Sequence, residues 1–476
     1  MTLPEPQVGA VPPWRASLAR LAWGLALRLL TPLLLLRLLW RARREPMYGH
    51  ALAERLGLGE PVAAGALWLH AVSLGETRAA QPLIDALRVA RPGLRLLLTH
   101  GTATGRETGA TLLHPGDAQR WLPLDLPGAT ARFLARHRPL AGVLMETEVW
   151  PALQHAAVRA EVPMFLVNAR LSEKSLRQSL RFNALLRPAV ASMRGVLAQT
   201  RADADRLQVA GAPADRVNVC GNLKFDLQPE PALLERGRRW RSGVAPGRAV
   251  VLAASWREGE DLPLLAAWQR WTTRLREARG LAAAELPLLV LVPRHPQRFD
   301  EVAGLVEAGG LTLARRSRWG EADPAGPSAA DGERDVWLGD SMREMPAWYA
   351  LADLCLLGGS WAPLGGQNLI EAAACACPVL MGAHTFNFAA AAEDALTAGA
   401  ALRCADLDAA LAQAGVWLGL ETAADAGGSA CAGAAAPAAS ATVDLSTLRA
   451  AALAYAAAHQ GAARRMAHEI LAHLPR

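Results

Sequence analysis

The residues of this chain that can do chemistry are acids and basic side chains at the ends of apolar runs. Glu76 closes His70-Ala-Val-Ser-Leu-Gly-Glu76, where a buried strand turns at Gly75 and a helix begins. A carboxylate in the first turn of a helix answers the helix dipole. One that faces a cleft can also take a proton from an attacking hydroxyl. Glu146 and Glu148 stand in Met145-Glu-Thr-Glu-Val-Trp-Pro151, between a strand and a helix that starts near Pro151. If the strand persists, their side chains point to opposite sides, so one is expected to face the cleft and the other to pack. Lys224, in Gly221-Asn-Leu-Lys-Phe-Asp226, sits at a strand end beside a break in the pattern, where a cation can hold an anion. Asn168-Ala-Arg-Leu-Ser-Glu-Lys-Ser175 reads as mainly structural, with Ser172 capping the helix that follows.

The second half carries a different set. In Val292-Pro-Arg-His-Pro296, prolines on both sides fix the backbone around Arg294. A guanidinium held there can grip a phosphate with two prongs. Ala254-Ser-Trp-Arg-Glu-Gly-Glu260 and Gly339-Asp-Ser-Met-Arg-Glu344 follow two other strands. The most informative stretch is Leu354–Phe388. The apolar run Leu354–Leu357 ends in a loop with the pairs Gly358-Gly359 and Gly365-Gly366, and a helix follows from about Asn368. Glycines at such a junction let backbone N–H groups approach a phosphate, and the helix dipole favours its charge. Glu371, one turn into that helix, suits the hydroxyls of a ribose. The loop therefore reads as a pocket for a nucleotide joined to something else. No GxGxxG follows a strand and no GxxxxGK[ST] occurs, so hydride transfer and P-loop chemistry lose their main support.

These loops need a scaffold, and the pattern supplies one. The chain has 476 residues, 52% hydrophobic and 20% charged, which is a folded protein with room for two or three cores. Strands and helices alternate, which predicts parallel sheets covered on both faces. A first block holds strands at Ala66–Val72, Leu94–Thr99, Leu140–Met145, Pro163–Val167 and Val217–Cys220. A second holds Ala249–Ala254, Leu286–Val292, Asp335–Leu338, Leu354–Leu357, Pro378–Met381 and Ala400–Cys404. The expected division is an anchor at 1–45, a first domain at 46–228, a linker at 229–247 and a second domain at 248–476. Two such blocks imply a cleft lined by strand ends. Ser317–Arg334 and Thr422–Thr442 read as flexible surface insertions, and Ser446–His473 as one helix.

The six cysteines show no CxxC pair and read as buried hydrophobes in a reducing compartment. No His/Cys cluster has zinc spacing, and the triplets Asp203–Asp205 and Asp406–Asp408 read as surface helix. Net charge is +6, but only 5% of residues are aromatic and no basic-aromatic interleaving appears, which argues against nucleic acid. An anionic membrane surface accounts for the charge. Leu18–Trp40 is apolar and, as a helix, about 35 Å long, enough to span a bilayer. It carries Arg20 and Arg28, and Pro32 interrupts it. It reads either as one spanning anchor or as an interfacial helix whose arginines snorkel. Arg37, Arg41, Arg43 and Arg44 put the body of the protein on the cytoplasmic side.

In this order the motifs resemble the bacterial 3-deoxy-D-manno-octulosonic acid (Kdo) transferases. HAVSLGE, METEVWP, NARLSEKS, GNLKFD, PRHPQRF, GDSMREM, GGQNLIEAA and GAHTFNF match that family in sequence and order, to about Phe388 and more weakly beyond. The resemblance implies an α/β protein of the GT-B type: two Rossmann-like domains facing a cleft, with an N-terminal membrane-associated helix at the cytoplasmic face of the inner membrane. It implies transfer of Kdo from CMP-Kdo, bound by the second domain, to the lipid A precursor lipid IVA, bound by the first. Position by position, it makes Glu76 the general base and gives Glu146 and Lys224 a part in supporting the transition state. Pro293, Arg294, Met342, Arg343, Glu344, Asn368, Leu369, Ile370 and Glu371 match the CMP-binding segments. Neither cofactor nor metal is implied, and the reaction is one inverting displacement.

Three positions depart from the family pattern. GDSMREM has Arg343 where many relatives have glycine, Gln367 stands where they have histidine, and Ser255-Trp-Arg-Glu258 replaces STHE. Other readings are another GT-B sugar transferase, a sugar-nucleotide epimerase, or a non-catalytic membrane-bound scaffold. The scaffold predicts loss of Glu76, Arg294 and Glu371, and all three are present.

Overall fold

Runs of Leu, Val and Ala bounded by turn residues form strands buried on both faces, the habit of parallel sheets. In this computed structural model, which describes residues 11–319, 326–422, 424–425, 431–433 and 444–474, they assemble into two α/β units. Unit 1 runs to Leu227 and regains the chain from His459; unit 2 is Gln228–Ala458.

Unit 1 is built on seven parallel strands: β1 (Leu67–His70), β2 (Leu96–His100), β3 (Ala118–Trp121), β4 (Ala141–Met145), β5 (Met164–Ala169), β6 (Gly195–Ala198) and β7 (Val217–Val219). Their order is β3-β2-β1-β4-β5-β6-β7, the doubly wound arrangement whose order reverses between β1 and β4. The helices are α1 (Pro13–Ala42), α2 (Leu74–Ala90), α3 (Ala103–Ala110), α4 (Pro127–His137), α5 (Pro151–Arg159), α6 (Glu173–Arg181), α7 (Asn183–Ala191) and α8 (Arg201–Ala210). One core joins the sheet to α2, through Ala80, Leu83 and Leu87. The other lies on the opposite face, through Phe133, Leu153, Val190 and Leu207. The sequence does not announce β3, whose residues Ala-Gln-Arg are only half-buried at the sheet edge, nor the short β6.

α1 is a single helix that continues through Pro32, so the expected interruption does not occur. It packs on unit 1 against α5, α7 and the turn at Pro46–Gly49. Gly24 permits the approach: a Cβ there would stand 3.3 Å from Pro127. The Trp23 indole N–H donates to Asp125 Oδ2 at 2.9 Å. That carboxylate also accepts from the N–H groups of Ala152 and Leu153 at the start of α5. On the other side of α1, Trp14, Leu18, Leu21, Leu25, Leu29, Leu33, Leu36 and Trp40 are exposed. They recur every three or four residues and so form one apolar strip. The helix is long and apolar enough to cross a membrane.

Unit 2 has eight strands: β8 (Val250–Trp256), β9 (Leu288–Pro293), β10 (Leu313–Arg315), β11 (Val336–Leu338), β12 (Leu354–Leu357), β13 (Val379–Met381), β14 (Ala401–Cys404) and β15 (Cys431–Ala432). The order is β10-β11-β9-β8-β12-β13-β14-β15, parallel except for β15 against β14. Here the reversal falls between β8 and β12. The expected linker is folded: helix Pro231–Arg241 packs on Met345–Leu351, and Gly237 approaches so closely that a Cβ would meet the Ala347 carbonyl at 2.1 Å. In the expected insertion at 317–334, Trp319 is buried among Trp240, Trp337 and Trp348, while 320–325 lie outside the described residues, as does most of 422–442.

Two further expectations change. Ser446–His473 is two helices, Leu445–Ala458 and Ala462–Leu471, parted at Gly461 with φ +91°. The second belongs to unit 1, not to the second domain. Its Ala463, Met466, Ala467 and Ile470 enter the core beside β1, and Asp226 accepts from Gly461 N and, at 2.6 Å, from Ala463 N. Cys404 and Cys431 form a disulfide between β14 and β15, whereas Cys220, Cys355, Cys375 and Cys377 are free thiols.

Candidate active site

Open parallel sheets bind ligands beyond the carboxyl ends of their strands, where the order reverses. Both units place their unusual residues there. In unit 1, β1 leads to Ser73, which caps α2 by accepting from the Glu76 N–H at 3.3 Å. The Glu76 carboxylate turns back, accepting from Val72 N–H at 2.8 Å and from the Ser73 hydroxyl at 3.1 Å. Its two oxygens are thus held in place at the strand end, a relative of the capping box. Burial pushes its pKa up; the Val72 N–H opposes the rise and Glu146 adds to it.

Across the reversal, β4 ends at Met145, and Glu146 has a left-handed backbone with φ +56°. This conformation is costly for a residue with a side chain and recurs at functional sites. Arg170 Nε lies 3.4 Å from Glu146 Oε2. Lys224 is held down chiefly by burial, with Glu146 opposing. Its loop is fixed from two sides: Leu223 N–H donates to Asn168 Oδ1 at 3.1 Å, and Asn222 Nδ2 donates to Gln199 Oε1 at 3.1 Å. The structure therefore brings Glu76, Glu146 and Lys224 together from three loops.

It also adds two residues. Glu148 is the second acid of its motif, where the spacing predicts one acid facing the cleft and one packing. Burial, then the Glu76 charge, raise its pKa to about 7. His70 Nε2 is 4.0 Å away, but burial depresses that imidazole to about 3, so the two are not an ion pair. Glu76 and Glu148, both raised and each acting on the other's surroundings with the Glu146 charge beside them, form a coupled pair. Arg170 is the other addition, a charge in a segment read as structural; Ser172 does cap α6 there. Thr147 and Arg170 further line an apolar hollow of about 320 Å³ walled by Leu171, Phe182, Leu186 and Leu207.

In unit 2, β8 bulges at Ser255, with φ +53°, and leads to Glu260. This carboxylate is buried and accepts from Gly359 N–H at 2.7 Å, Trp361 N–H at 3.0 Å and Ala362 N–H at 3.2 Å. Three donors of the loop expected to cradle a phosphate, the N–H groups of Gly359, Trp361 and Ala362, are therefore taken by the protein itself. Gly365, with φ +91°, is required by Asn387, whose amide a Cβ would meet at 2.3 Å. Asn368 caps its own short helix through Ile370 N–H, and the side chains of Leu369 and Ile370 are core. Glu371 is half-buried on that helix, and its charge helps push the Tyr349 hydroxyl upward, after burial.

Arg294 follows Pro293 at the end of β9, its N–H bound to Trp256 O at 2.8 Å and its side chain exposed. Among the described residues its guanidinium forms no ion pair. Met342 and Arg343 are exposed as well. Glu344 is not: its carboxylate meets Arg236 at 3.0 Å, Arg316 at 2.9 Å and the Ser341 hydroxyl. That side chain closes an internal ion cluster. Among the described residues no group of three His, Cys, Asp or Glu is placed to hold a metal ion.

Comparison with known proteins gives this geometry a family. The profile of 3-deoxy-D-manno-octulosonic-acid transferase (kdotransferase) matches residues 50–227. A 3-deoxy-D-manno-octulosonic acid transferase of Bordetella pertussis is 50% identical over 404 residues, 83% of this chain and 90% of that protein. This chain belongs to the Kdo transferase family. A Haemophilus influenzae member is 34% identical over 72% of this chain and 78% of its own length. Kdo transferases are glycosyltransferases, and the fold agrees. A Rickettsia africae glycosyltransferase superposes with TM-score 0.52 at 11% identity, over 86% of this chain and 98% of that one. Anabaena Alr3699/HepE in complex with UDP gives 0.52 at 14%, over 86% and 100%. At these identities both show the fold alone, which is GT-B.

One departure from the Kdo transferase pattern now has a physical reading. Arg343 has φ +66°, the left-handed conformation that glycine adopts freely. A glycine there would meet the backbone requirement without strain; this chain meets it with a side chain. Trp256, another departure, is fully buried and belongs to the core of unit 2. Arg170, Glu148 and Glu260 had a signal in the sequence, each being a charge just after a strand. Their partners lie too far along the chain for spacing to reveal them.

Proposed function

We propose that the chain transfers Kdo from CMP-Kdo to a hydroxyl of lipid IVA, at the cytoplasmic face of the inner membrane. The observation that carries this reading is the meeting of Glu76, Glu146 and Lys224 at the β1/β4 reversal in a Kdo transferase. The acceptor oxygen attacks the Kdo anomeric carbon. The bond from that carbon to the CMP phosphate oxygen breaks, and CMP leaves with the electron pair. Glu76 takes the acceptor's proton, as a carboxylate held by two hydrogen bonds and raised by burial is suited to do. Glu146 and Lys224 stabilise the oxocarbenium-like charge and the departing phosphate. One displacement with one base inverts the anomeric configuration.

For the donor, Arg294 is the cation for the phosphate, and Glu371 is the acid for the ribose. Residues 342–344 and 368–370 contribute through their backbone. A monophosphate leaving group carries less charge than a diphosphate, so a guanidinium and backbone dipoles suffice without a metal. The apolar hollow beside Arg170 suits the apolar part of an amphiphilic acceptor. The test is incubation of purified protein with lipid IVA and separately purified CMP-Kdo in excess EDTA, read by product mass and by the anomeric configuration. A product of lipid IVA plus Kdo with inverted configuration supports the reading. Absence of product, or thermal stabilisation by UDP and not CMP, overturns it.

A further inference from the structure

A groove of about 660 Å³ runs between α1 and the outer faces of α4 and α5. Its walls are apolar: Trp23 from α1 and alanines of α4 and α5 line it, with Leu21 at its exposed rim. Three basic side chains enter it, Arg20 from α1 and His155 and Arg159 from α5, and no carboxylate lines it. Among the described residues Arg20 donates only to Ser17 Oγ, at 3.0 Å. Among the described residues neither Arg20 nor Arg159 has an ion-pair partner. Both guanidiniums act on His155, whose pKa is lowered first by burial and then by each of them. The two guanidinium charges therefore converge on one place beside a neutral imidazole, a costly arrangement unless an anion joins them. The site lies along α5, which starts at the catalytic end of the sheet and carries Arg159 at its far end, about 12 Å away.

We propose that this groove binds one anionic phospholipid: its phosphate between Arg20 and Arg159, its acyl chains against Leu21, Trp23 and the exposed leucine strip of α1. Inorganic phosphate would satisfy the charges but leave the apolar walls unfilled. A zwitterionic lipid would fill the walls while bringing its own cation to the arginines. The occupant is a membrane lipid and not the acceptor, because Arg159, which would hold its phosphate, stands at the end of α5 opposite the catalytic end. Bound there, it ties α1 to α4 and α5 and seats unit 1 on an anionic surface. The inference rests on the membrane-associated reading of α1.

The experiment uses full-length protein in neutral detergent, with native mass spectrometry to count retained phosphatidylglycerol or phosphatidylcholine. One phosphatidylglycerol per chain is expected, with phosphatidylcholine at least tenfold weaker. The Arg20→Ala/Arg159→Ala variant should bind phosphatidylglycerol at least tenfold more weakly, since removing each charge-assisted hydrogen bond to the phosphate costs about tenfold or more in affinity. Arg28→Ala, a charge removed from the same helix outside the groove, should leave binding within about twofold. Equal retention by the double variant, or equal loss in Arg28→Ala, overturns the proposal. So does displacement by millimolar inorganic phosphate, or by lipid IVA at lower concentration than phosphatidylglycerol. Vesicle flotation separates the two readings. If wild type fails to float with any vesicle, the membrane reading fails; if wild type and double variant float alike on phosphatidylglycerol vesicles, only the lipid site fails. Unchanged thermal stabilisation by CMP in the variants reports that they are folded.

Discussion

Replacing Glu76 by Gln removes a charge and a basic site while keeping the shape. The carbonyl oxygen of Gln can still accept from Val72 N–H, now 2.8 Å from the carboxylate. Its amide can donate to the Ser73 oxygen, and glutamine serves in capping boxes as glutamate does. The turn into α2 should therefore hold. Loss of a general base costs about 10²–10⁴-fold in rate, so kcat should fall by that factor while CMP binding is unchanged. Stability should move the other way. The folded pKa of Glu76 is raised, so the folded state holds this proton more tightly than the unfolded chain. Its stabilising effect is present at low pH and is lost as pH rises through the folded pKa. At neutral pH the wild-type carboxylate is thus a burden that Gln lacks. The variant should be equally or slightly more stable near pH 7, and the gain should vanish below the ordinary glutamate value of 4.5.

The pH–rate profile sharpens the test. In wild type the acid limb should lie above 4.5, because the base must ionise against burial and Glu146. Glu146→Gln removes one source of the rise and should shift that limb to lower pH. Glu148, near 7, belongs to the same coupled set, so the limb reports the cluster and not one residue. Stopped assays of Kdo transfer across pH, alongside CMP thermal shifts, supply both readouts. Near-normal turnover of Glu76→Gln would refute Glu76 as the base. A low rate accompanied by lost CMP stabilisation would mean that the variant acts through folding.

The remaining predictions concern the donor side and the helix. Arg294→Ala should weaken CMP binding by about 1.5–3 kcal/mol in calorimetry, with unfolding unchanged, since its guanidinium is exposed; unaltered affinity would move the phosphate elsewhere. Glu344→Gln should do the reverse, costing about 3 kcal/mol of unit 2 stability by leaving Arg236 and Arg316 short of a buried partner, with CMP affinity of the folded protein retained. Arg343→Gly should raise stability by about 1 kcal/mol, because it relieves a left-handed residue at φ +66°; a loss measured by denaturant titration would contradict the strain argument. Deleting residues 1–44 should leave CMP binding intact but lower the unfolding temperature of unit 1, because Asp125 loses the Trp23 donor. Transfer to acceptor in liposomes should drop more than transfer to detergent-dispersed acceptor; an equal drop would make α1 part of the acceptor site itself.

Much of this molecule is written locally. Continuous apolar runs such as Leu354–Leu357 can only be buried strands, their alternation with helices dictates parallel sheets, and an acid or base after a strand marks a loop at the binding end. Hence Glu76, Glu146, Lys224 and Arg294 stood out in the sequence as candidates, and the family was legible. What the sequence could not decide is which of these charges are already spent. Glu260 fills the glycine loop from 99 residues away, Glu344 answers Arg236 across 108, and Arg170 reaches Glu146 across the β4/β5 boundary. Likewise the helix at Ala462 returns to unit 1 because Asp226, 237 residues before Ala463, is there to take its N–H. Hydrogen bonds and ion pairs depend on separation in space over a few ångströms, and only the folded chain sets those separations. Backbone handedness at Glu146 and Arg343 belongs to the same class: a local dihedral, imposed by the packing of distant strands and helices.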